Sequence, residues 1–152
     1  MTKVLVLNGP NLGRLGRRQP EIYGHTSHDE LAAHLTDLGH RLGLAVEVRQ
    51  SDDAAEMVGW LHEAADEGCP VVINPAAWSH YDLSVADAVA QVEAPVVEVH
   101  ISNIAARESY RHHSVVSAHA TGTIAGLGLD GYDLALTHLA GLLGPARRAD
   151  QR

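Results

Sequence analysis

Residues 71–100 read VVINPAAWSHYDLSVADAVAQVEAPVVEVH, and this stretch decides the fold. Val71-Val72-Ile73 is a short apolar run closed by Asn74-Pro75, the pattern of a buried strand ended by turn residues. Asp82 to Val92 is predicted as a helix. Pro95 then introduces a second apolar run, Val96 to Val99, which ends at His100. Strand, helix, strand, with both strands short and apolar, is a parallel pair covered on both faces.

The same alternation extends in both directions. Val4-Leu5-Val6-Leu7 is a strand before Asn8-Gly9-Pro10, and Ala45 to Arg49 is another. Ser27 followed by Glu30 matches a capping box, with Leu31, Leu35, Leu38 and Leu42 at helical spacing and Gly43 as the stop. Asp53 to Glu67 is a helix with Met57, Leu61 and Ala64 on one face and Gly68 as its stop. Residues 105–113 read as a short helix, Ala120 to Ala125 as a fifth strand, and Leu129 to Leu143 as a last helix with Leu134, Leu139 and Leu142 inward. Five such strands fit the flavodoxin-like order 2-1-3-4-5, a five-stranded parallel sheet with helices on both faces. Residues 1–144 are expected to form a single flavodoxin-like domain, and residues 145–152 a flexible polar tail. Gly9 to His25, rich in Gly, Pro and Arg, is predicted as a long loop, a length usually kept for function.

Composition bounds the partners. The net charge of −8 argues against nucleic acid, whose binding rests on phosphate neutralisation. No apolar run is long enough to span a membrane, and Met1-Thr2-Lys3 leads straight into a strand without a signal-peptide pattern, so a cytoplasmic protein is expected. Of eleven basic residues only Lys3 is lysine. Clusters at Arg14, Arg17 and Arg18, and at Arg107 and Arg111, suit a small anionic ligand; solubility is their plainer reading. The eleven histidines are scattered and form no metal-ligand spacing.

Ligands of open α/β sheets bind outside the carboxyl ends of the strands. Three of those ends are polar here, at Asn8, Asn74 and His100, and the expected order makes their strands neighbours. An asparagine after a strand is ordinarily a turn residue. Three converging polar ends, with His80 on the following loop, make a site the better reading. Glu98 and His100 share a face of their strand, so the carboxylate is placed to hold the imidazole, as a structural pair or as a poised acid. Lys3 begins the first strand, at the wrong end for imine chemistry. Gly9-Pro10-Asn11-Leu12-Gly13 matches neither the dinucleotide fingerprint nor the P-loop.

Leu7-Asn8-Gly9-Pro10-Asn11-Leu12-Gly13, Arg17-Arg18 and Tyr23-Gly24 resemble the opening of the type II 3-dehydroquinate dehydratases. The resemblance continues through Arg49-Gln50-Ser51, Asn74 to His80, Glu98 to Asn103, Ala106-Arg107-Glu108, Gly126-Leu127-Gly128 and Gly131-Tyr132. It covers about residues 3–143, and the motifs keep their order and gaps.

The resemblance implies reversible dehydration of 3-dehydroquinate to 3-dehydroshikimate in the shikimate pathway, through an enolate. It implies no metal or organic cofactor, and a homo-oligomer, a dodecamer built from trimers. The family's tyrosine base falls on Tyr23, its histidine acid on His100 and its essential loop arginine on Arg18. Asn11 and Glu98 fall on supporting positions, and Arg107 belongs with them. Substrate contacts carried over are Asn74, His80, Ile101, Ser102 and Arg111, with Asp87 reaching a neighbouring subunit's site. Tyr23 and Arg18 on the long loop imply a lid. The chain departs from the family pattern at Asp82, where Ser is usual, at Ala86, where Arg is usual, and at Ala105, where His is usual. Ala86 bears on the subunit contact near Asp87. The alternative function is a catalytically impaired flavodoxin-like module that binds a small anion.

Overall fold

The structure, a computed structural model, describes residues 1–144. The predicted tail from 145 to 152 lies outside the described residues. Strands β1 (Thr2–Asn8), β2 (Leu44–Gln50), β3 (Val71–Asn74), β4 (Val96–His100) and β5 (Gly122–Ala125) form one sheet in the order β2-β1-β3-β4-β5. All four pairings are parallel, and Asn8 stands level with Asn74. The flavodoxin-like order read from the sequence is the order observed.

Alternation along the strands sorts the core into two layers. Leu5, Leu7, Val71, Ile73 and Val96 face α3 (Ala54–Glu67) and α4 (Leu83–Ala90), where Met57, Leu61, Val85 and Val89 meet them. Val4, Val6, Val72, Val97 and Val99 face α2 (His28–Arg41) and α5 (Asp130–Leu143), against Leu31, Leu35, Leu136 and Leu139. Burying each such side chain contributes about 1.5–3 kcal/mol. Leu5→Ala, at a residue with no exposure, would cost about 2–5 kcal/mol through lost transfer energy and a cavity.

Caps fix where the helices begin. Ser27 and Glu30 form both halves of the capping box on α2. Asp53 caps α3 by accepting from the Ala55 amide at 2.9 Å. Asp82, the departure from the family pattern, caps α4, accepting from the Val85 amide at 3.0 Å.

Several predicted details change. The loop after β1 contains a 3-10 turn at Leu12–Arg14 and a helical turn, α1 (Pro20–Tyr23), because Leu12 and Leu15 bury against the α2 side and Pro20 starts a turn readily. The helix predicted over 105–113 is two 3-10 turns, Ile104–Ala106 and Ser109–Arg111. Arg107 (ψ −165°) and Glu108 (ψ 145°) are extended between them and break the helical path. Leu134 is 48% exposed rather than inward. The buried stripe of α5 is Gly131, Tyr132, Ala135, Leu136 and Leu139, and Leu134 falls outside it.

Candidate active site

The carboxyl ends of β1, β3 and β4 open into a cavity of about 210 Å³. Of the residues predicted for the site, Asn11, Arg18, Tyr23, Asn74, His80, His100, Ile101, Ser102 and Arg111 line it. Glu98 stands behind His100 with no exposure, and Asp87 is exposed on α4, outside this lining.

The floor is built by close approach of two turns. The Gly9 amide donates to the Asn74 carbonyl at 2.8 Å. A Cβ at Gly9 would lie 2.7 Å from the Pro75 carbonyl oxygen, so only glycine fits. Across this junction Ala76 takes a left-handed conformation, φ 50°. Its amide donates to Asn74 Oδ1 at 3.1 Å, and Asn74 Nδ2 donates to the Tyr132 hydroxyl at 2.9 Å. Burial pushes the Tyr132 phenol up, against the hydrogen bond from Asn74.

The loop after β1 brings in the tyrosine. Its base is tied to the end of β2: the Asn11 amide donates to Asp52 Oδ1 at 2.8 Å, and Gln50 Nε2 to the Gly9 carbonyl at 3.1 Å. At its far end α1 presents Tyr23. Arg107 Nη1 donates to the Tyr23 hydroxyl at 2.8 Å and to Ser102 Oγ at 3.3 Å. The Arg18 guanidinium lies 5.4 Å from the centroid of the Tyr23 ring. The Tyr23 oxygen thus accepts from one guanidinium while a second stands over its ring. Arg107, regarded from the sequence only as a supporting residue, is the one that grips the hydroxyl. The extended backbone at Arg107 ends the helical turn there; the sequence signal was the Ala106-Arg107-Glu108 motif.

The imidazole belongs to β4. His100 Nε2 hydrogen-bonds Glu98 Oε2, and Glu98 Oε1 accepts from Ser117 at 2.8 Å and Ser114 at 3.2 Å. Burial opposes charge on Glu98. The hydrogen bond and charge of His100 and the two hydroxyls outweigh it and hold the carboxyl below its ordinary range. The sequence placed Glu98 beside His100 correctly but gave no sign of the two serines, which arrive from a distant loop. His80 stacks on His100 with ring centroids 6.4 Å apart, and its Nδ1–H donates to the His113 carbonyl at 2.8 Å.

The opposite wall is suited to an anion. The Ile101 and Ser102 amides donate to no backbone carbonyl among the described residues. Arg111 stands on the same wall, steadied by Glu108 Oε2 at 2.8 Å from its Nε. Among the described residues, no group of three or more His, Cys, Asp or Glu is arranged to hold a metal ion.

A phenol gripped by a guanidinium and an imidazole backed by a buried carboxylate share one small cationic cavity at the strand ends. That combination defines the class: a flavodoxin-like α/β enzyme equipped for proton transfer on a small anion. The family model described as Dehydroquinase class II matches residues 2–140, and the chain belongs to that family. A relative from Salinispora tropica named 3-dehydroquinate dehydratase is 64% identical over 138 residues, 91% of this chain and 96% of the relative. The crystal structure of the type II dehydroquinase from Propionibacterium acnes is 68% identical, covers 93% of this chain and 97% of its own, and superposes with a TM-score of 0.92. That from Butyrivibrio crossotus superposes at 0.88 with 38% identity, covering 91% of this chain and 97% of its own.

Proposed function

We propose that this chain is a 3-dehydroquinate dehydratase, a hydro-lyase that reversibly converts 3-dehydroquinate to 3-dehydroshikimate in the shikimate pathway. Family membership supports the reaction. The observation that carries the mechanism is the Tyr23 hydroxyl held at 2.8 Å by Arg107, in one cavity with the Glu98-backed His100.

Tyr23, as phenolate, removes the proton α to the ketone. The C–H electron pair moves into the ring and the carbonyl oxygen becomes an enolate, which fixed donors around Asn74 stabilise. The enolate then returns its electrons, a carbon–carbon double bond forms, and the C–O bond breaks. His100 donates its proton to the departing hydroxyl, so water leaves. The substrate carboxylate lies on the Ile101 and Ser102 amides and Arg111, with His80 and Asn11 bordering the ring. Arg18 rides with Tyr23 on the loop, which acts as a lid.

Residues 1–144 are read as one catalytic domain. The exposed Asp87 reaches the site of a neighbouring subunit in a dodecamer of trimers, and the enzyme works in the cytoplasm. The described residues include no helix long and apolar enough to cross a membrane.

The test follows enone absorbance with 3-dehydroquinate. Turnover is expected, and Tyr23→Phe is expected to abolish it with an unchanged melting curve. Tight substrate binding without conversion by the folded parent protein would overturn the enzymatic reading in favour of a binding module.

A further inference from the structure

The cavity is connected to the start of α2 by a row of polar side chains of which the mechanism uses only Asn74. Four hydrogen bonds run from the floor into the protein: Ala76 N–H to Asn74 Oδ1 at 3.1 Å, Asn74 Nδ2 to the Tyr132 hydroxyl at 2.9 Å, Tyr132 O–H to Asn8 Oδ1 at 2.8 Å, and Asn8 Nδ2 to His28 Nε2 at 3.0 Å. The links come from β3, α5, β1 and α2, residues up to 124 positions apart.

The direction of the row follows from one group that cannot turn round. A backbone N–H only donates. The Ala76 amide therefore requires the oxygen of the Asn74 amide, which turns its nitrogen to Tyr132. The phenol accepts there and has its own proton left to give, so Asn8 must offer oxygen to it and nitrogen to His28. At the far end the row needs an acceptor. A proton on His28 Nε2 would set donor against donor, and the relief would be reversal of both asparagine amides, ending with the Asn74 nitrogen against the Ala76 N–H.

We propose that His28 is a positioning residue for Asn74, its unprotonated Nε2 terminating the relay and so fixing which way the Asn74 amide faces the substrate. Its ring is half-buried. Burial holds the imidazole below its ordinary value, against the pull of Asp29, and so favours the neutral ring; the Asn8 amide N–H facing Nε2 then selects the tautomer in which that nitrogen accepts. Tyr132, with no exposure, is the pivot; its phenolic proton belongs to Asn8 and is not available to the substrate. The role rests on the reading of Asn74 as a substrate contact.

The experiment combines spectroscopy on the free protein with a double-mutant cycle. Nitrogen-15 spectra of the folded parent chain should show His28 neutral and protonated on Nδ1. In the turnover assay His28→Leu and Tyr132→Phe should each lower kcat/KM about tenfold, the scale of a small misplacement of a contact group. The double variant should be no slower than Tyr132→Phe alone, because the broken relay no longer transmits the loss. His28→Gln, which keeps an acceptor at the position of Nε2, should restore most of the rate. An Nε2-protonated His28, multiplying effects in the double variant, or a His28→Gln enzyme as slow as His28→Leu would overturn the proposal. Absence of turnover in the parent would instead refute the dehydratase reading, while the spectrum still decides the relay.

Discussion

Removing the grip on Tyr23 gives the sharpest consequence of the site geometry. Arg107→Met keeps the aliphatic stem and deletes the guanidinium, whose Nη1 lies 2.8 Å from the phenolic oxygen. A hydrogen bond to a charged group is worth about 1.5–3 kcal/mol. The Coulomb estimate for unit charges about 4 Å apart, at an effective dielectric of about 20, sets an upper bound of about 4 kcal/mol. The Arg107 side chain is only 14% exposed, so solvent discounts little of this. If the phenolate forms on the way to proton removal, the loss appears as a fall of about 10- to 100-fold in kcat/KM. Arg18 still stands over the ring, 5.4 Å from its centroid, and keeps the variant from complete inactivity. The assay is enone formation, run with ordinary substrate and with substrate deuterated at the abstracted position. The isotope effect should rise as proton removal becomes more limiting. A variant that melts like the parent and keeps kcat/KM within about twofold would refute Arg107 as the phenolate's partner.

Three other changes probe the surroundings. Glu98→Gln retains the buried hydrogen-bonding shape but removes the charge opposite His100, and kcat should fall by about 5- to 30-fold, the difference between a charged and a neutral hydrogen bond; unchanged kcat would dissociate Glu98 from the acid. Ala76→Gly releases a left-handed backbone that costs an L residue about 1–2 kcal/mol and, after the extra chain entropy of glycine, should stabilise by about 0.5–1 kcal/mol in urea unfolding; a lower midpoint would show that the strain is not there. Glu63 is held down to about 2 by its hydrogen bonds from Arg49 and Lys3, so its contribution is present above the ordinary 4.5 and is lost as pH falls through about 2. Glu63→Gln should therefore flatten the decline of stability across that window, and an identical pH profile for both proteins would contradict the assignment.

The sheet was legible because each of its strands is a short apolar run bounded by turn residues, and because the helix caps at Ser27 and Asp53 are local hydrogen bonds between near neighbours in sequence. Alternation along β4 likewise puts Glu98 and His100 on one face from the sequence alone. What escaped the sequence was contact across distance. Arg107 meets Tyr23 over 84 residues, and no periodicity encodes such a pairing. Tyr132 read as part of a closing motif, though its hydroxyl joins β1 to β3. The stretch from 105 to 113 failed for the opposite reason. Its composition is compatible with helix, but tertiary bonds that place Arg107 in the cavity win over a weak local preference. Asp82, read in the sequence as the first residue of a helix and as a departure from the family pattern, is the cap of α4.

Lys3 lies near the amino end of β1, about 17 Å of strand away from Asn8 and the cavity beyond it. Its ammonium sits among Glu63, Glu67 and Glu47 at 3.1–3.9 Å. Apart from the α-amino group, it is the one primary amine in the sequence. Amine-directed labelling at alkaline pH, after blocking the α-amino group, would attach one dye per chain at the end of the sheet opposite Tyr23. Photobleaching steps per particle would then count how many chains each particle holds, with the label placed away from the loop that carries Tyr23.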